Sequence, residues 1–245
     1  MKNMATYLKL FENSNDYNSF TQTDAFIKPN VSLCMEENKV HYNPLDPPAI
    51  WGTVDLGLPS GTLWATMNVG ATSETDYGLY FAWGDTQGYT ASQVGTGSGQ
   101  KAFTWNDYVY GTENNLTKYN PTDGLATLEL TDDAAYALSN GQYVIPTKEQ
   151  FEELIANTTH EWHTVMLGNI FTSTVNGNSL FFPTPGNCVN GSVADVSSYG
   201  TYLTNSISTS DVKRSILMVF EYGDVFFDNY RRYCGSSIRG VLKQG

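Results

Sequence analysis

From residue 51 onward the apolar residues fall in short runs of strand length, punctuated by clusters of Gly, Asn, Ser and Thr. The runs at 53–58, 63–69, 80–83, 143–145, 216–222 and 238–242 predict β-strands, because turn-forming residues on their flanks stop each run before a helix can establish itself. Two segments break the pattern. Asp132 and Asp133 precede Ala134, Ala135, Ala137 and Leu138, and Asn140-Gly141 follows, so acids lie at the positive end of a helix dipole and Gly supplies the stop. Thr147 and Gln150 have capping-box spacing, after which Phe151, Leu154 and Ile155 line one helical face. Two short helices among many strands and long loops predict an α+β domain. The stretch 84–99, rich in Gly, Ser and Thr, reads as a mobile surface loop.

The chain before residue 51 reads differently. A polar opening is dotted with Tyr7, Leu8, Leu10, Phe11, Tyr17 and Phe20. Val31 and Leu33 then alternate with polar residues, Glu36-Glu37-Asn38-Lys39 can turn, and Val40 and Tyr42 resume the alternation, which predicts a hairpin. Pro44, Pro47 and Pro48 follow and favour a stiff, extended linker. The boundary is placed there: residues 1–48 form an attachment or oligomerisation segment, and 49–245 a domain that folds alone. An isolated hairpin is too small to be stable, so the segment is expected to pack on another chain, making the protein a homo-oligomer.

Charge narrows the partners. Thirteen basic residues against 25 acidic give a net charge of −12, which leaves no electrostatic footprint for a phosphate backbone, so no nucleic-acid partner is expected. A hydrophobic fraction of 40% with 16% charged residues supplies a packed core and excludes global disorder. No run approaches the ~18 apolar residues needed to span a bilayer, so no membrane insertion is expected. The first twenty or so residues lack the features of a signal peptide, which predicts a chain not sent through a secretory pathway. Cys34, Cys188 and Cys234 are far apart with no Cys-x-x-Cys spacing, arguing against a disulfide framework or structural zinc; they read as free, mostly buried thiols.

Several landmarks occur together: Val54-Asp55-Leu56-Gly57-Leu58-Pro59-Ser60-Gly61-Thr62-Leu63-Trp64-Ala65, Tyr80-Phe81-Ala82-Trp83-Gly84, Asp132-Asp133-Ala134-Ala135, Ile145-Pro146-Thr147-Lys148-Glu149-Gln150-Phe151 and Arg232-Tyr233-Cys234-Gly235-Ser236-Ser237-Ile238-Arg239. In this order, over residues 51–242, the chain resembles the Fibrobacter succinogenes major paralogous domain of gut Bacteroidota and their phages, which is similar to the formylglycine-generating, C-type-lectin-like fold. The resemblance implies a lectin-like domain with a small antiparallel sheet, two flanking helices, long loops and termini close together. It makes Arg232, Gly235, Ser237 and Arg239 framework of the closing strand. Where many members have Tyr-Trp-Ser-Ser after a glycine, this chain has Gly200-Thr201-Tyr202-Leu203-Thr204-Asn205, so the surface around Leu203 is expected to be reshaped.

Catalytic chemistry finds little support. Formylglycine-generating relatives use a close cysteine pair and copper; here Cys234 has no partner near it in sequence and reads as a small core hydrophobe. His160 and His163 stand at i, i+3, a spacing that can place two imidazoles on one helical face, but a solvated helix end explains them better than a metal site. Trp105-Asn106-Asp107 matches the calcium triplet of sugar-binding lectins without the accompanying proline triplet, and Trp105 is expected to pack with Phe103 and Tyr108 instead. No cofactor or metal is expected, and no enzymatic activity.

The C-terminal segment is different in kind. From 195 to 245 its basic residues (Lys213, Arg214, Arg231, Arg232, Arg239, Lys243) balance its acids (Asp195, Asp211, Glu221, Asp224, Asp228). Tyr199, Tyr202, Asn205, Tyr222, Asp224, Asp228, Asn229, Tyr230 and Arg231 combine rigid rings, carboxylates, amides and a forked cation, a set that gives contact area at low entropic cost. These nine are the candidate ligand-binding residues. The resemblance implies a binding face in this last segment, in some relatives diversified by a retroelement. It also implies a phage receptor-binding or tail-associated protein, located in the virion or in the cytoplasm before assembly. The N-terminal segment would meet virion or tail proteins, as a trimer in a tail, and the domain would take a protein or glycan ligand on a bacterial surface. The alternative is a structural or decoration protein of a virion or cell surface.

Overall fold

The computed structural model describes the strands at 33–36 and 39–42 by their backbone and residues 51–244 in full. The aromatic-dotted opening, the proline linker at 44–48 and the side chain of Cys34 lie outside the described residues. The chain divides into two compact units, 1–52 and 53–245. In the first, β1 (Leu33–Glu36) and β2 (Lys39–Tyr42) pair antiparallel with Glu36 opposite Lys39, the pairing that the predicted hairpin requires.

The second unit is built of small antiparallel sheets with few helices, an α+β arrangement. Strands β3 (Thr53–Asp55) and β4 (Leu63–Ala65) join β7 (Tyr143–Val144) and β16 (Val241–Leu242) in the order β3-β4-β16-β7. Trp64 therefore stands opposite Val54 on one side and Val241 on the other, which brings the beginning and end of this unit into one sheet. β5 (Gly111–Thr112) and β6 (Asn115–Leu116) make a short hairpin. β8 (Thr158–His163), β9 (Gly168–Ser173) and β10 (Ser179–Pro183) form a three-stranded sheet, and β11 (Asn187–Val189) pairs with β12 (Ser192–Ala194). The last and longest sheet is β13 (Tyr199–Ile207), β14 (Arg214–Glu221) and β15 (Asp224–Arg231), with β14 central.

Both helices start where their caps predict. In α1 (Ala134–Leu138) the Asp133 carboxylate accepts the Tyr136 N–H at 2.9 Å, and its other oxygen accepts Ile145 N–H at 2.9 Å, tying the helix to the strand that follows. Asp133 is buried, and burial outweighs these bonds and pushes its carboxyl up to about 6. In α2 (Lys148–Ala156) the Thr147 hydroxyl accepts Gln150 N–H at 3.1 Å while Gln150 Oε1 accepts Thr147 N–H at 2.9 Å. Phe151 and Leu154 then enter a core with Leu56, Leu58, Trp64, Phe171, Leu180, Phe182, Tyr202, Met218, Phe220 and Val241.

Several expectations are corrected. The segment 84–99 is fastened by reciprocal Tyr80–Tyr89 backbone bonds, and its buried Val94 enters a second core with Tyr80, Phe103, Tyr108 and Cys188. His160 and His163 lie on β8, where an odd separation puts them on opposite faces; no helical face unites them. Cys188 and Cys234 are distant in sequence but close in space, because Cys188 exchanges backbone bonds with Gly235 at 2.8 Å in both directions. Leu203 is 1% exposed, so there is no surface at that position to reshape.

Candidate functional site

The hairpin β14–β15 turns at Tyr222 and Gly223, whose φ angles of 45° and 100° are the left-handed pair that a two-residue turn matched to strand twist requires. That turn sets the register. Val225 falls opposite Phe220 and Phe227 opposite Met218, and these pairs pack toward the main core. The alternate residues Asp224, Phe226, Asp228 and Tyr230 consequently project from the other face. Asp224 and Asp228 are exposed, Phe226 is 40% exposed and Tyr230 is half-buried. At the turn Tyr222 is 64% exposed, its ring meeting Trp162 edge-on at 5.2 Å.

Among the described residues β15 pairs with β14 alone. The Arg232 N–H bond to Lys213 O, at 3.0 Å, sets the phase of the ladder, so the N–H and C=O groups of Val225, Phe227 and Asn229 point away from β14. One part of this edge is blunted. Asp228 Oδ1 accepts the Asn229 N–H at 2.7 Å, and the Arg214 guanidinium donates to Asn229 O at 2.7 Å. Acidic groups dominate the exposed strip: Glu221 lies opposite Asp224, and Asp228 follows on the same face. Burial, together with the Asp228 and Asp195 carboxylates, raises the Tyr230 phenol, which stays a neutral hydrogen-bonding group at ordinary pH.

The nine predicted residues separate. Tyr222, Asp224, Asp228, Asn229 and Tyr230 share the turn and the edge strand. Arg231 is on the same strand but is committed to an ion pair with Glu113, which raises its already high pKa. Tyr199 begins β13, and its hydroxyl donates to Glu221 at 2.6 Å; that bond pushes the phenol up to about 12. Asn205 is half-buried at the far end of β13, where its N–H donates to Pro146 O and its carbonyl accepts Leu128 N–H. Tyr202 is a correction. It is fully buried, its hydroxyl donates to Pro183 O at 2.7 Å, and its ring stacks on Phe220 at 6.0 Å, so it is core and touches no ligand. Asn205 is likewise a connector between β13 and the segments before the helices.

Phe226 escaped the sequence reading. No strand is predicted over 224–231, so nothing in the sequence reading assigns Phe226 a face; the alternation of Val225 and Phe227 with Asp224 and Asp228 along β15 places it on the acidic, outward side.

Other candidate chemistry resolves into structure. Asp107 accepts the N–H groups of Ala102, Phe103 and Thr104, and burial, which alone would raise its pKa, is outweighed by these bonds and the net shift is downward. Trp105 meets Tyr108 and Tyr233 edge-on at 5.5 and 5.0 Å. Burial pushes the Cys188 thiol up to about 12 and Cys234 to about 11, so both are protonated and weakly nucleophilic at neutral pH. No group of three or more His, Cys, Asp or Glu side chains suited to a metal occurs among the described residues, and no described helix is long and apolar enough to cross a membrane.

Arg232 and Arg239 are fully buried frame residues. Arg232 donates to Tyr119 O at 2.9 Å and lies over the Trp83 and Tyr108 rings; Arg239 donates to Asn68 Oδ1 at 3.0 Å and lies over Phe182 at 4.6 Å. They anchor the chain on either side of Gly235, where an added Cβ would stand 2.6 Å from the Phe103 ring. β15 itself is held from behind by Val225 and Phe227 packing on the main core, while Asp224, Phe226 and Asp228 on its other side stay exposed. No family model, no curated protein and no solved structure matches this chain.

Proposed function

We propose that the protein is a non-enzymatic binding protein. In this reading a C-type-lectin-like domain displays the Tyr222–Tyr230 edge of β15 to a ligand on a bacterial surface, as a phage receptor-binding or tail-associated protein. The carrying observation is the outward row Asp224, Phe226, Asp228 and Tyr230, with Tyr222 at its end, on an edge strand whose reverse face is locked into the core. Rigid aromatic anchors between carboxylates suit a protein surface bearing basic and apolar groups better than a phosphate or an anionic polymer. Supporting the non-enzymatic reading, the neighbouring thiols are held protonated, opposite to what a cysteine nucleophile needs.

The direct test is binding of the labelled chain to Bacteroidota cells, with Phe226→Ala and Tyr230→Ala together. Loss of binding by at least about thirtyfold, equivalent to ~2 kcal/mol, with an unchanged melting curve supports the reading. Undiminished binding refutes this face. A structural or decoration role is the second reading, favoured by the outward backbone groups of Val225 and Phe227, which offer a strand edge as an assembly joint. It predicts that the same variant changes the sedimentation of the assembled protein and leaves cell binding untouched.

A further inference from the structure

Beyond β15, on the far side of the Arg231–Glu113 ion pair, lies a polar groove of about 390 Å³. One wall is the β5–β6 hairpin, whose connection is Glu113-Asn114. The second is the Asn120-Pro121-Thr122 turn, and the third is the β13–β14 loop at Val212-Lys213.

The walls are fastened to one another. Asn120 Nδ2 donates to Leu116 O at 3.0 Å, and Asn120 Oδ1 accepts Thr122 N–H at 2.8 Å, so the turn is tied to the hairpin. Asp123 Oδ1 is filled by the Asn120 and Leu125 N–H groups. The Arg231–Glu113 pair ties the hairpin tip to β15, and Asp211 Oδ1 accepts Lys213 N–H at 3.0 Å, which fixes the loop. A groove braced in this way loses little conformational freedom when it is filled.

The groups that do not brace it are the informative ones. The side-chain amides of Asn114 and Asn115 and the hydroxyl of Thr122 make no hydrogen bond among the described residues. Lys213 Nζ is 4.0 Å from Glu113 Oε1, the outer limit of an ion pair, and that same oxygen is already held by Arg231. Two cations thus share one carboxylate, and the ammonium of Lys213 has capacity left in a chain of net charge −12. Leu116, Pro121 and Val212 supply small apolar patches between these polar groups, with no deep apolar slot to anchor a peptide side chain.

The geometry points to an acidic saccharide site: the groove takes a sugar ring bearing a carboxylate, a hexuronic acid residue of a glycan. The paired amides and the threonine hydroxyl donate to and accept from ring hydroxyls, the apolar patches meet the C–H face, and Lys213 meets the carboxylate. The volume suits about one or two rings. This site is separate from the β15 strip and does not depend on the strip being a binding face.

The test is a titration of the isotopically labelled full chain, followed by NMR, with dimers of galacturonate, glucuronate and mannuronate, each beside its methyl ester. At least one dimer is expected to shift the side-chain amide signals of Asn114 and Asn115, with its ester binding about three- to tenfold more weakly. Lys213→Ala should weaken the acid to the level of the ester, and Asn114→Ala with Asn115→Ala should abolish the shifts of Thr122 and Lys213. If none of the three dimers moves these signals at about 50 mM, the site is refuted. Equal affinity for acid and ester, or no effect of Lys213→Ala, refutes the acidic class. Shifts confined to Tyr222, Phe226 and Tyr230 also overturn the groove while leaving the β15 reading standing; loss of cell binding in the β15 variant with intact uronate shifts separates the two in the other direction.

Discussion

β13 and β15 are the two outer strands of one sheet, and both carry the tyrosines, amides and hydroxyls of a contact surface, yet only one is available for contact. On β13, Thr201, Tyr202, Leu203 and Thr204 are buried, and the outer edge is occupied: Leu203 N–H bonds Ser237 O at 3.0 Å and Ser237 N–H bonds Thr201 O at 3.1 Å. On β15 the outer edge meets no strand among the described residues, and every second side chain faces out. The difference teaches that residue type does not distinguish an open edge strand from a covered one. Occupancy of the second edge does, and that is settled by a segment some 35 residues further along the chain.

The sharpest way to break this comparison is at Tyr202. Tyr202→Ala should cost ~3–5 kcal/mol, the range for emptying a buried aromatic site, read as a lowered urea midpoint. A loss below ~1 kcal/mol would mean that β13 is as open as β15. Tyr202→Phe probes the same site more gently. It keeps the ring but leaves Pro183 O without its donor, for a loss of ~1–2 kcal/mol. Burial raises the Tyr202 pKa, so the unfolded chain gives up this proton first as pH rises through about 10, and folded-state stability falls with pH in that window. Tyr202→Phe should therefore flatten the alkaline loss of stability by up to one proton, ~1.4 kcal/mol per pH unit.

On β15 the expected effects on stability are far smaller. Phe226→Ala should change stability by no more than ~0.5 kcal/mol, since the ring is 40% exposed; a larger loss would place it in a covered interface and count against a free binding face. Smallest of all is Arg231→Ala. Its partner Glu113 is 41% exposed, and such pairs contribute ~0–1 kcal/mol with strong screening by salt. The melting temperature of that variant should match the parent within about 2 °C, and the gap should close in 0.5 M salt.

Legibility followed the range of the interactions involved. Thr147 and Gln150 announce α2 because a capping box is satisfied within four residues, and the pairing of β1 with β2 is equally local. Thr158–His163 is not legible as a strand, because β8 buries Thr158 and leaves His160 and Trp162 half-buried, so its inward side carries too many polar atoms to register as an apolar alternation. The predicted strand at 63–69 is shorter, ending at Ala65, because Val69 N–H turns instead to Ile238 O. At the candidate site, Tyr222, Asp224, Asp228, Asn229 and Tyr230 were recognisable by composition, and Phe226 was recognisable by alternation once the strand was placed. Tyr202 and Asn205 were not separable from them, since nothing within β13 reports Pro183, Pro146 or Ser237.

The α+β class, the two helix starts and the acidic balance were legible in the sequence alone, because they rest on strand-length apolar runs, short-range capping and a count of charges. The framework role expected of Arg232, Gly235, Ser237 and Arg239 came from the family resemblance and not from any local pattern. Only the tertiary structure decided which face of β15 looks outward, that Tyr202 belongs to the core, that Cys188 and Cys234 are neighbours, and that Glu113, Asn114, Asn115, Thr122 and Lys213 border one groove. Each of these depends on contacts between residues tens of positions apart, and the free energy that selects them comes from burying surfaces that exist only once the sheets have packed.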